Sequence, residues 1–160
     1  MNLDIRPVND NDVNDLVQFT LLAFVPVFSS FAQILGPQIY PVIYPNWEKR
    51  QRDRVEAICK NAKIDVWVAE LNGMVVGLVA YELHDNDKTG EVQFLAVHPE
   101  YQNDGIGTEL NNFALQKMQE AGMEMAVVGT GGDESHAPAR RSYEKAGFTA
   151  LPLVRFYKKL

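Results

Sequence analysis

The sequence predicts a single domain over residues 1–160, of the mixed α/β (α+β) class. Its central sheet begins antiparallel and ends in a parallel strand–helix–strand unit. Strand-like segments in the first half are separated by short turns, among them Asn72-Gly73, a dipeptide that favours a type I′ hairpin. After Gly105, apolar residues recur at helical spacing and precede one further strand. A crossover through a helix joins parallel strands, which predicts a βαβ unit in the second half.

The first half of the chain is predicted to combine a strand, helical segments and an antiparallel meander. A strand over Leu3–Arg6 ends before a proline, and Asp10 and Asp12 offer N-caps for a helix that runs to about Ala23. The segment Val25–Trp47 holds four prolines and five aromatic residues, and prolines this frequent predict only short helical pieces. The elements predicted next are a helix over Glu48–Lys60 and strands over Asp65–Glu70, Met74–Leu83 and Glu91–Val97.

The second half is predicted to alternate helix and strand. A helix over about Gly105–Ala121 leads to a strand over Met125–Gly129, which should lie parallel to Glu91–Val97. A proline at its start and a glycine after its end bracket a last helix over Ala137–Ala146. The residues that follow are predicted to form the last strands, most clearly over Val154–Lys158.

Composition and charge restrict the classes of function. Of the 160 residues, 46% are apolar and 22% are charged, which suits a soluble domain with its own hydrophobic core. The net charge of −6 argues against nucleic acid as a partner, because that binding depends on neutralising phosphates, and it suits a cationic ligand such as an amine. No segment has about 18 uninterrupted apolar residues, so no membrane association is predicted. A cytoplasmic location is expected, because the N-terminus lacks a signal-peptide pattern and the single Cys59 cannot form an internal disulfide.

The strongest chemical signal is a glycine-bearing loop between an apolar strand and an amphipathic helix. The loop reads Gln102-Asn103-Asp104-Gly105-Ile106-Gly107-Thr108. Backbone N–H groups at a helix start have no helical partners and suit an anion, and glycine lets a phosphate approach closely. The glycines alone are equally compatible with a tight turn. The loop is not a P-loop, because it lacks Gly-Lys-Ser/Thr, and Leu110 stands where a Rossmann loop has its third glycine.

Two segments together resemble the GNAT acetyltransferase superfamily. Leu95-Ala96-Val97-His98-Pro99 followed by Gln102–Gly107 is similar to the acetyl-CoA signature, Gln/Arg-x-x-Gly-x-Gly/Ala after a strand that ends in Val-x-Pro. Ala139–Phe148 is similar to the second motif of the family, Ala-x-x-x-Tyr-x-x-x-Gly-Phe. The motifs lie in the expected order, with one helix and one strand between them. The resemblance implies a GNAT-like (acyl-CoA N-acyltransferase) fold and an N-acetyltransferase that uses acetyl-CoA as co-substrate. No residues have the spacing of metal ligands.

The resemblance also implies roles for individual residues. The backbone of Leu95–Val97 would pair with the pantetheine arm, and the N–H of Leu95 would stabilise the thioester oxygen as it gains negative charge. Tyr143 is the candidate general acid for the departing thiolate, with a packing role as the alternative. His136 stands where the family often has Asn. The predicted cofactor contacts are Leu95, Ala96, Val97, Gln102, Asn103, Asp104, Gly105, Ile106, Gly107, Thr108, His136, Ala139 and Tyr143.

Glu91 is the candidate base that deprotonates the acceptor amine. It precedes Leu95 by four residues on one predicted strand, so the two side chains should share a face, and the position matches the carboxylate base of some GNAT enzymes. Glu82 and His84 are rivals on the neighbouring strand, and a solvent-facing Glu91 is the alternative. The predicted reaction is direct attack by a primary amine of a small molecule or protein. A CoA-binding sensor without turnover is the alternative function.

Three further segments have more than one interpretation. The segment Val25–Trp47 would form the acceptor wall of a GNAT enzyme or cap the core. Gly129–Asp133 is predicted to be a flexible turn at the rim of the cofactor site, and Asp104 is a candidate N-cap. Basic residues on the last helix could bind the adenosine 3′-phosphate of the predicted cofactor, or they could form a solvated face. A homodimer is compatible with the sequence, which does not determine the oligomeric state.

Overall fold

The computed structural model describes residues 2–160 and contains one five-stranded sheet with the strand order β1-β2-β3-β4-β5. Strands β1 to β4 pair antiparallel, and β5 pairs parallel with β4, as predicted. The strands are β1 Leu3–Pro7, β2 Ile64–Leu71, β3 Met74–His84, β4 Thr89–Val97 and β5 Met125–Val128. The helices are α1 Val13–Ile43, α2 Trp47–Lys60, α3 Ile106–Glu120 and α4 Ala137–Lys145. The predicted fold class is confirmed.

Helices cover both faces of the sheet and bury two apolar clusters. On one face, Leu16 of α1 and Val55 of α2 pack against Phe94 of β4. On the other face, α3 packs its apolar stripe, which includes Met118, against β3 and β4. A β carbon on Gly90 would stand 2.6 Å from the side chain of Met118, so glycine allows α3 to approach β4 closely.

Helix α1 continues far beyond its predicted end at Ala23. It runs to Ile43 with a break at Gly36, where φ is 72° and ψ is 175°. The prediction that prolines would leave only short pieces was wrong as far as Gly36, because Pro26 lies within a continuous helix. After the break, Pro37 opens a short piece that ends at Ile43. An N–H is not needed in a first helical turn, so proline costs little there.

Helix α1 is also unusually apolar for a surface helix. An 18-residue window has a mean hydropathy of 1.7, and 11% of that window is buried. By length and composition alone, this helix could cross a membrane, but core helices and signal sequences pass the same test. Its buried residues, among them Leu16 and Phe19, belong to the core on the sheet.

The C-terminal tail, residues 149–160, forms no strand, and the prediction of strands there was wrong. A strand needs a neighbour with free backbone groups, and the tail pairs with none of β1 to β5. Its apolar side chains face solvent, with Leu153 83% and Phe156 90% exposed. Only Tyr157 is half-buried.

Candidate active site

Strands β4 and β5 pair over only part of their length, and a cleft opens where they part. Pairing joins Thr89–Val92 to Met125–Val128 and ends there, whereas β4 continues to Val97. Beyond Val92, none of the described strands pairs with β4 on the β5 side. The cleft has a volume of about 800 Å³ and is lined by β4, α1, α4 and the loop before α3. This volume lies within the range of roughly 300–1,000 Å³ that is typical of small-molecule sites.

Backbone donors of β4 face this cleft. The N–H of His98 donates to the carbonyl oxygen of Val76 in β3, at 2.8 Å. Successive N–H groups of a strand point to alternate edges, so those of Val97 and Leu95 point away from β3 and into the cleft. The N–H groups of Leu95 and Val97 therefore face the cleft, whereas that of the intervening Ala96 points toward β3.

An extra residue in β4 rotates the strand at the start of the cleft. The register with β3 slips at Gln93, which forms a β-bulge. Because a bulge interrupts the alternation of side chains, Val92 and Leu95 both lie in the cluster under α3, although they are three residues apart. Phe94 instead stacks on Phe24 of α1, with ring centroids 5.4 Å apart.

The bulge also moves Glu91 to the opposite face from Leu95. Glu91 pairs with Glu82 on the α1 side of the sheet, so the prediction of a shared face was wrong. Its carboxylate accepts a hydrogen bond from Gln93 Nε2 at 3.1 Å and lies 3.6 Å from His84 Nε2. The side chain is 44% exposed and is not among those that line the cleft. Its role as a base stays a prediction.

The predicted anion-binding loop ends in the free start of α3. A 3₁₀ turn over Pro99–Tyr101 leads to Gln102, whose side-chain amide donates to the carbonyl oxygen of Val97 at 3.1 Å. The N-cap is Gly105 in a left-handed conformation with φ of 85°, so the assignment of Asp104 as the cap was wrong. Glycine adopts this conformation without the steric cost that a β carbon adds.

Three amides at the start of α3 have no partner within the helix. The first helical hydrogen bond runs from Glu109 N–H to the carbonyl oxygen of Gly105, so the N–H groups of Ile106, Gly107 and Thr108 remain available. Gly107 and Thr108 line the cleft. Together with the positive end of the helix dipole, these amides suit a phosphate.

Helix α4 closes the cleft on the side opposite to β4. Ala139, Ser142 and Tyr143 line it. Burial raises the pKa of Tyr143, so its phenol stays protonated at neutral pH. The hydroxyl of Ser142 is buried and has no hydrogen-bond partner among residues 2–160. An unpaired buried polar group costs roughly 1–3 kcal/mol, so this position suits a ligand that supplies a hydrogen bond.

The turn between β5 and α4 is fixed by hydrogen bonds, whereas the sequence predicts a flexible turn over Gly129–Asp133. The carboxylate of Asp133 accepts hydrogen bonds from Ser30 Oγ at 2.6 Å, from His136 Nδ1 at 2.6 Å and from Ser135 Oγ. Burial opposes ionisation of Asp133, but these hydrogen bonds outweigh it and hold the pKa of the carboxyl well below its usual range.

Two further contacts fix the same turn. Arg140 donates to the carbonyl oxygens of Gly131 and Asp133 at 2.6 and 2.7 Å. The ring of His136 stacks on Phe31 of α1, with centroids 5.7 Å apart and planes inclined by 25°. His136 lines the cleft, so the turn presents an oriented imidazole to it.

Residues 31–148 match the sequence profile of the acetyltransferase (GNAT) family. The match spans more than half of the chain and includes the loop before α3 and helix α4. The chain belongs to the acetyltransferase (GNAT) family. Family membership confirms the resemblance on which the sequence-based assignment depended.

Several curated relatives of this GNAT chain are longer proteins. It is similar to a mycothiol acetyltransferase of Thermomonospora curvata, with 33% identity over 93 residues. That alignment covers 58% of this chain and 30% of the relative, so the chain spans about a third of the length of that relative.

Solved structures share the fold over nearly the whole chain. PaiA N-acetyltransferase from Thermoplasma acidophilum, in complex with coenzyme A, has a TM-score of 0.69 and 18% identity, with 93% of this chain and 91% of that chain covered. AAC(6')-Iy, in complex with a bisubstrate analogue of CoA, has a TM-score of 0.65 and 16% identity, with 100% and 99% covered. At these identities, the similarity establishes the fold alone.

The structure adds site residues that sequence reasoning did not find. Ser142 lies next to the predicted Tyr143, but no motif pointed to it. Ser30 and Phe31 come from α1, more than 100 residues before the turn that they contact. The only available signal was the short spacing between Asp133 and His136, which would place the two side chains within reach in a tight turn.

Proposed function

We propose that the protein is an N-acetyltransferase that transfers the acetyl group of acetyl-CoA to a primary amine. The observation that carries this proposal is the parting of β4 from β5, which leaves the N–H groups of Leu95 and Val97 directed into a cleft. Free amides at the start of α3 adjoin one end of the cleft, and the protonated phenol of Tyr143 faces it from α4.

The residues present fit acetyl-CoA. The amides of Leu95 and Val97 would pair with the pantetheine arm as a neighbouring strand would, and the amides of Asn103–Thr108 would hold the pyrophosphate. Ser142 supplies a buried hydroxyl that has no partner within residues 2–160. When bound, acetyl-CoA supplies an activated acetyl group as a thioester.

Two groups of the chain would assist the transfer. The N–H of Leu95 would donate to the thioester oxygen as this oxygen gains negative charge, and a fixed donor stabilises that charge without reorganisation. Tyr143 would give its hydroxyl proton to the departing sulfur. Its raised pKa suits an acid that must stay protonated until the C–S bond breaks.

The acceptor side favours a cationic amine. Glu82 and Glu91 are paired neighbours on the α1 side of the sheet, beside the bulge at which the cleft begins. Two adjacent carboxylates attract an ammonium ion and raise its local concentration. Aromatic rings of α1 and α2 line the same side, among them Phe28 and Trp47, which stack at 4.4 Å. Small molecules and proteins that carry a primary amine both suit this surface.

The proposal is tested by release of CoA thiol from acetyl-CoA against a panel of primary amines, run beside calorimetric binding of CoA. Acetyl-CoA-dependent turnover of at least one amine is expected. Tight binding of CoA with no turnover on any acceptor would contradict the proposal and identify a CoA-binding module without catalysis.

Replacing Gly107 by Glu should weaken CoA binding. The change places a side chain and a negative charge at the free start of α3, where the pyrophosphate would bind. Losing a charge-assisted hydrogen bond is worth roughly 1.5–3 kcal/mol, so calorimetry should show a fall in affinity of roughly 10- to 100-fold. Gln119→Glu is the matched control, because it adds the same charge at an exposed position of α3 outside the cleft. An unchanged affinity in a folded Gly107→Glu protein would place the pyrophosphate elsewhere.

Replacing Tyr143 by Phe should lower kcat by roughly 10²- to 10⁴-fold, because general acid catalysis contributes about this much. CoA affinity should stay near that of the parent, since the ring still packs against Phe148. Tyr81→Phe is the control, because the ring of Tyr81 packs in the cluster under α3 and does not line the cleft. A Tyr143→Phe variant that keeps most of its kcat would leave only the packing role.

We further propose that the protein works as a homodimer in which the two C-terminal tails are exchanged. Five large apolar side chains of residues 149–160 are between 78% and 109% exposed. Exposed apolar surface of this extent in one segment indicates an interface, since burying each such side chain is worth about 1.5–3 kcal/mol. These residues are Leu151, Leu153, Val154, Phe156 and Leu160.

A second copy of this chain offers a sheet edge with which the tail could pair. No strand within residues 2–160 pairs with the outer edge of β5, and its side chains Met125 and Val127 are exposed. The tail carries three positive charges and no negative one, so the rest of the chain, whose total is −6, carries −9. Twelve extended residues reach roughly 40 Å, which allows the tail of one copy to cross to the β5 edge of the other. Reciprocal exchange gives a closed two-fold dimer.

Sedimentation velocity tests the exchange. The full chain should be a dimer, and Leu153→Asp and Phe156→Asp in the tail should shift it to monomer, whereas Lys60→Asp, an exposed charge reversal at the end of α2, should not. A full chain that is monomeric, or a dimer that the tail substitutions leave intact, would overturn the proposal. Cosedimentation of a monomer with phosphatidylcholine vesicles would instead assign the apolar surface of α1 and the tail to a membrane.

A further inference from the structure

We propose that His136 is the base that takes the proton from the acceptor amine, with Asp133 as the residue that positions it. This inference rests on the proposed N-acetyltransferase function and assigns one step of it. The sequence predicts His136 as a cofactor contact and Glu91 as the base. The bulge at Gln93 directs Glu91 to a face outside the cleft, whereas the fixed turn before α4 places His136 in the lining of the cleft.

The contact with Asp133 determines which nitrogen of His136 can accept a proton. An ionised carboxylate only accepts hydrogen bonds, and Nδ1 lies 2.6 Å from Asp133 Oδ1, so Nδ1 carries a hydrogen. In the neutral ring, Nε2 then has a free lone pair. No hydrogen bond joins Nε2 to any residue in the described range 2–160. The imidazole is therefore held in the tautomer that a base requires.

The ring is also held in one orientation. It stacks on Phe31, and its partner Asp133 is fixed by Ser30 from the same helix, α1. Arg140 fixes the backbone of the turn through the carbonyl oxygens of Gly131 and Asp133. A base must keep its geometry while the acceptor binds, and this set of contacts provides that constraint.

The location suits a group that acts on the acceptor. His136 is the N-cap of α4, its side chain is 17% exposed, and it lines the cleft. It lies against α1, the predicted acceptor wall, whereas Tyr143 lies seven residues further along α4. Seven residues return to the same side of a helix at a distance of roughly 10 Å along its axis. The base and the acid therefore stand apart on one side of the cleft.

The step balances with these two groups. The nitrogen lone pair of the acceptor forms a bond to the acetyl carbon, and the C–S bond breaks. Before the attack, His136 Nε2 takes the proton that makes the acceptor an ammonium ion. The Tyr143 hydroxyl gives its proton to the departing sulfur, and the acylated nitrogen loses its second proton to solvent. Exchange of both protons with solvent restores the starting state, so no oxidant or further reactant is needed.

The variant His136→Asn distinguishes a role of His136 as base from a role as cofactor contact. Asparagine keeps an amide that donates a hydrogen bond, as in the family pattern, but it has no basic nitrogen. CoA affinity by calorimetry should stay unchanged, and kcat with the best amine of the panel should fall roughly 10²- to 10⁴-fold. The deficit should shrink for an analogue of that amine that carries a trifluoromethyl group on the carbon bearing the nitrogen, because this much weaker base is already neutral at pH 7.

Glu91→Gln and His98→Asn are measured in the same assay. His98 is a matched control, because its Nδ1 accepts from Glu100 N–H, a contact that asparagine can also make, and its side chain does not line the cleft. Imidazole added to His136→Ala should restore part of the lost turnover, which a structural role would not allow. Parental kcat in His136→Asn, an equal deficit for both amines, or a deficit confined to Glu91→Gln would overturn the assignment. Absence of turnover in the parent would instead refute the proposed function itself.

Discussion

The parting of β4 from β5 is the constraint on which the rest of the site depends. Parallel pairing stops at Val92 and Val128, and β4 continues alone on that side. The backbone groups left there need partners, because unpaired buried amides are costly. Helix α3 starts at the far end of the opening, α4 closes its opposite side, and α1 forms its outer wall. A ligand that offers hydrogen-bonding groups along an extended arm and a phosphate at its end matches this arrangement.

Local features of this arrangement could be predicted from the sequence. Asn72 and Gly73 have φ of 53° and 80°, as a type I′ turn requires, and the meander around them follows. The glycine-bearing loop and the start of α3 were predicted from spacing alone. The order of two motifs predicted the fold family, and the family match confirms it. The turn, the loop and each single motif depend on neighbours that lie within a few residues in the chain.

Features set by distant contacts could not be predicted. The bulge at Gln93 depends on the register with β3, and it reverses the face on which Glu91 lies. The continuation of α1 through Pro26 depends on packing against the sheet. The fixed turn around Asp133 depends on Ser30, which lies 103 residues earlier. The tail was predicted to form strands because its composition favours them, but a strand also needs a paired neighbour, and the tail pairs with none of β1 to β5.

The central claim is that the unpaired edge of β4 and the start of α3 bind the cofactor. Residue-resolved amide hydrogen exchange by NMR, with and without CoA, measures this most directly. The account predicts that CoA slows exchange at Leu95, Val97 and Ile106–Thr108, whereas Ala96, which points toward β3, changes little. Saturating CoA that leaves Leu95 and Val97 unprotected, and slows exchange elsewhere in the molecule, would contradict it.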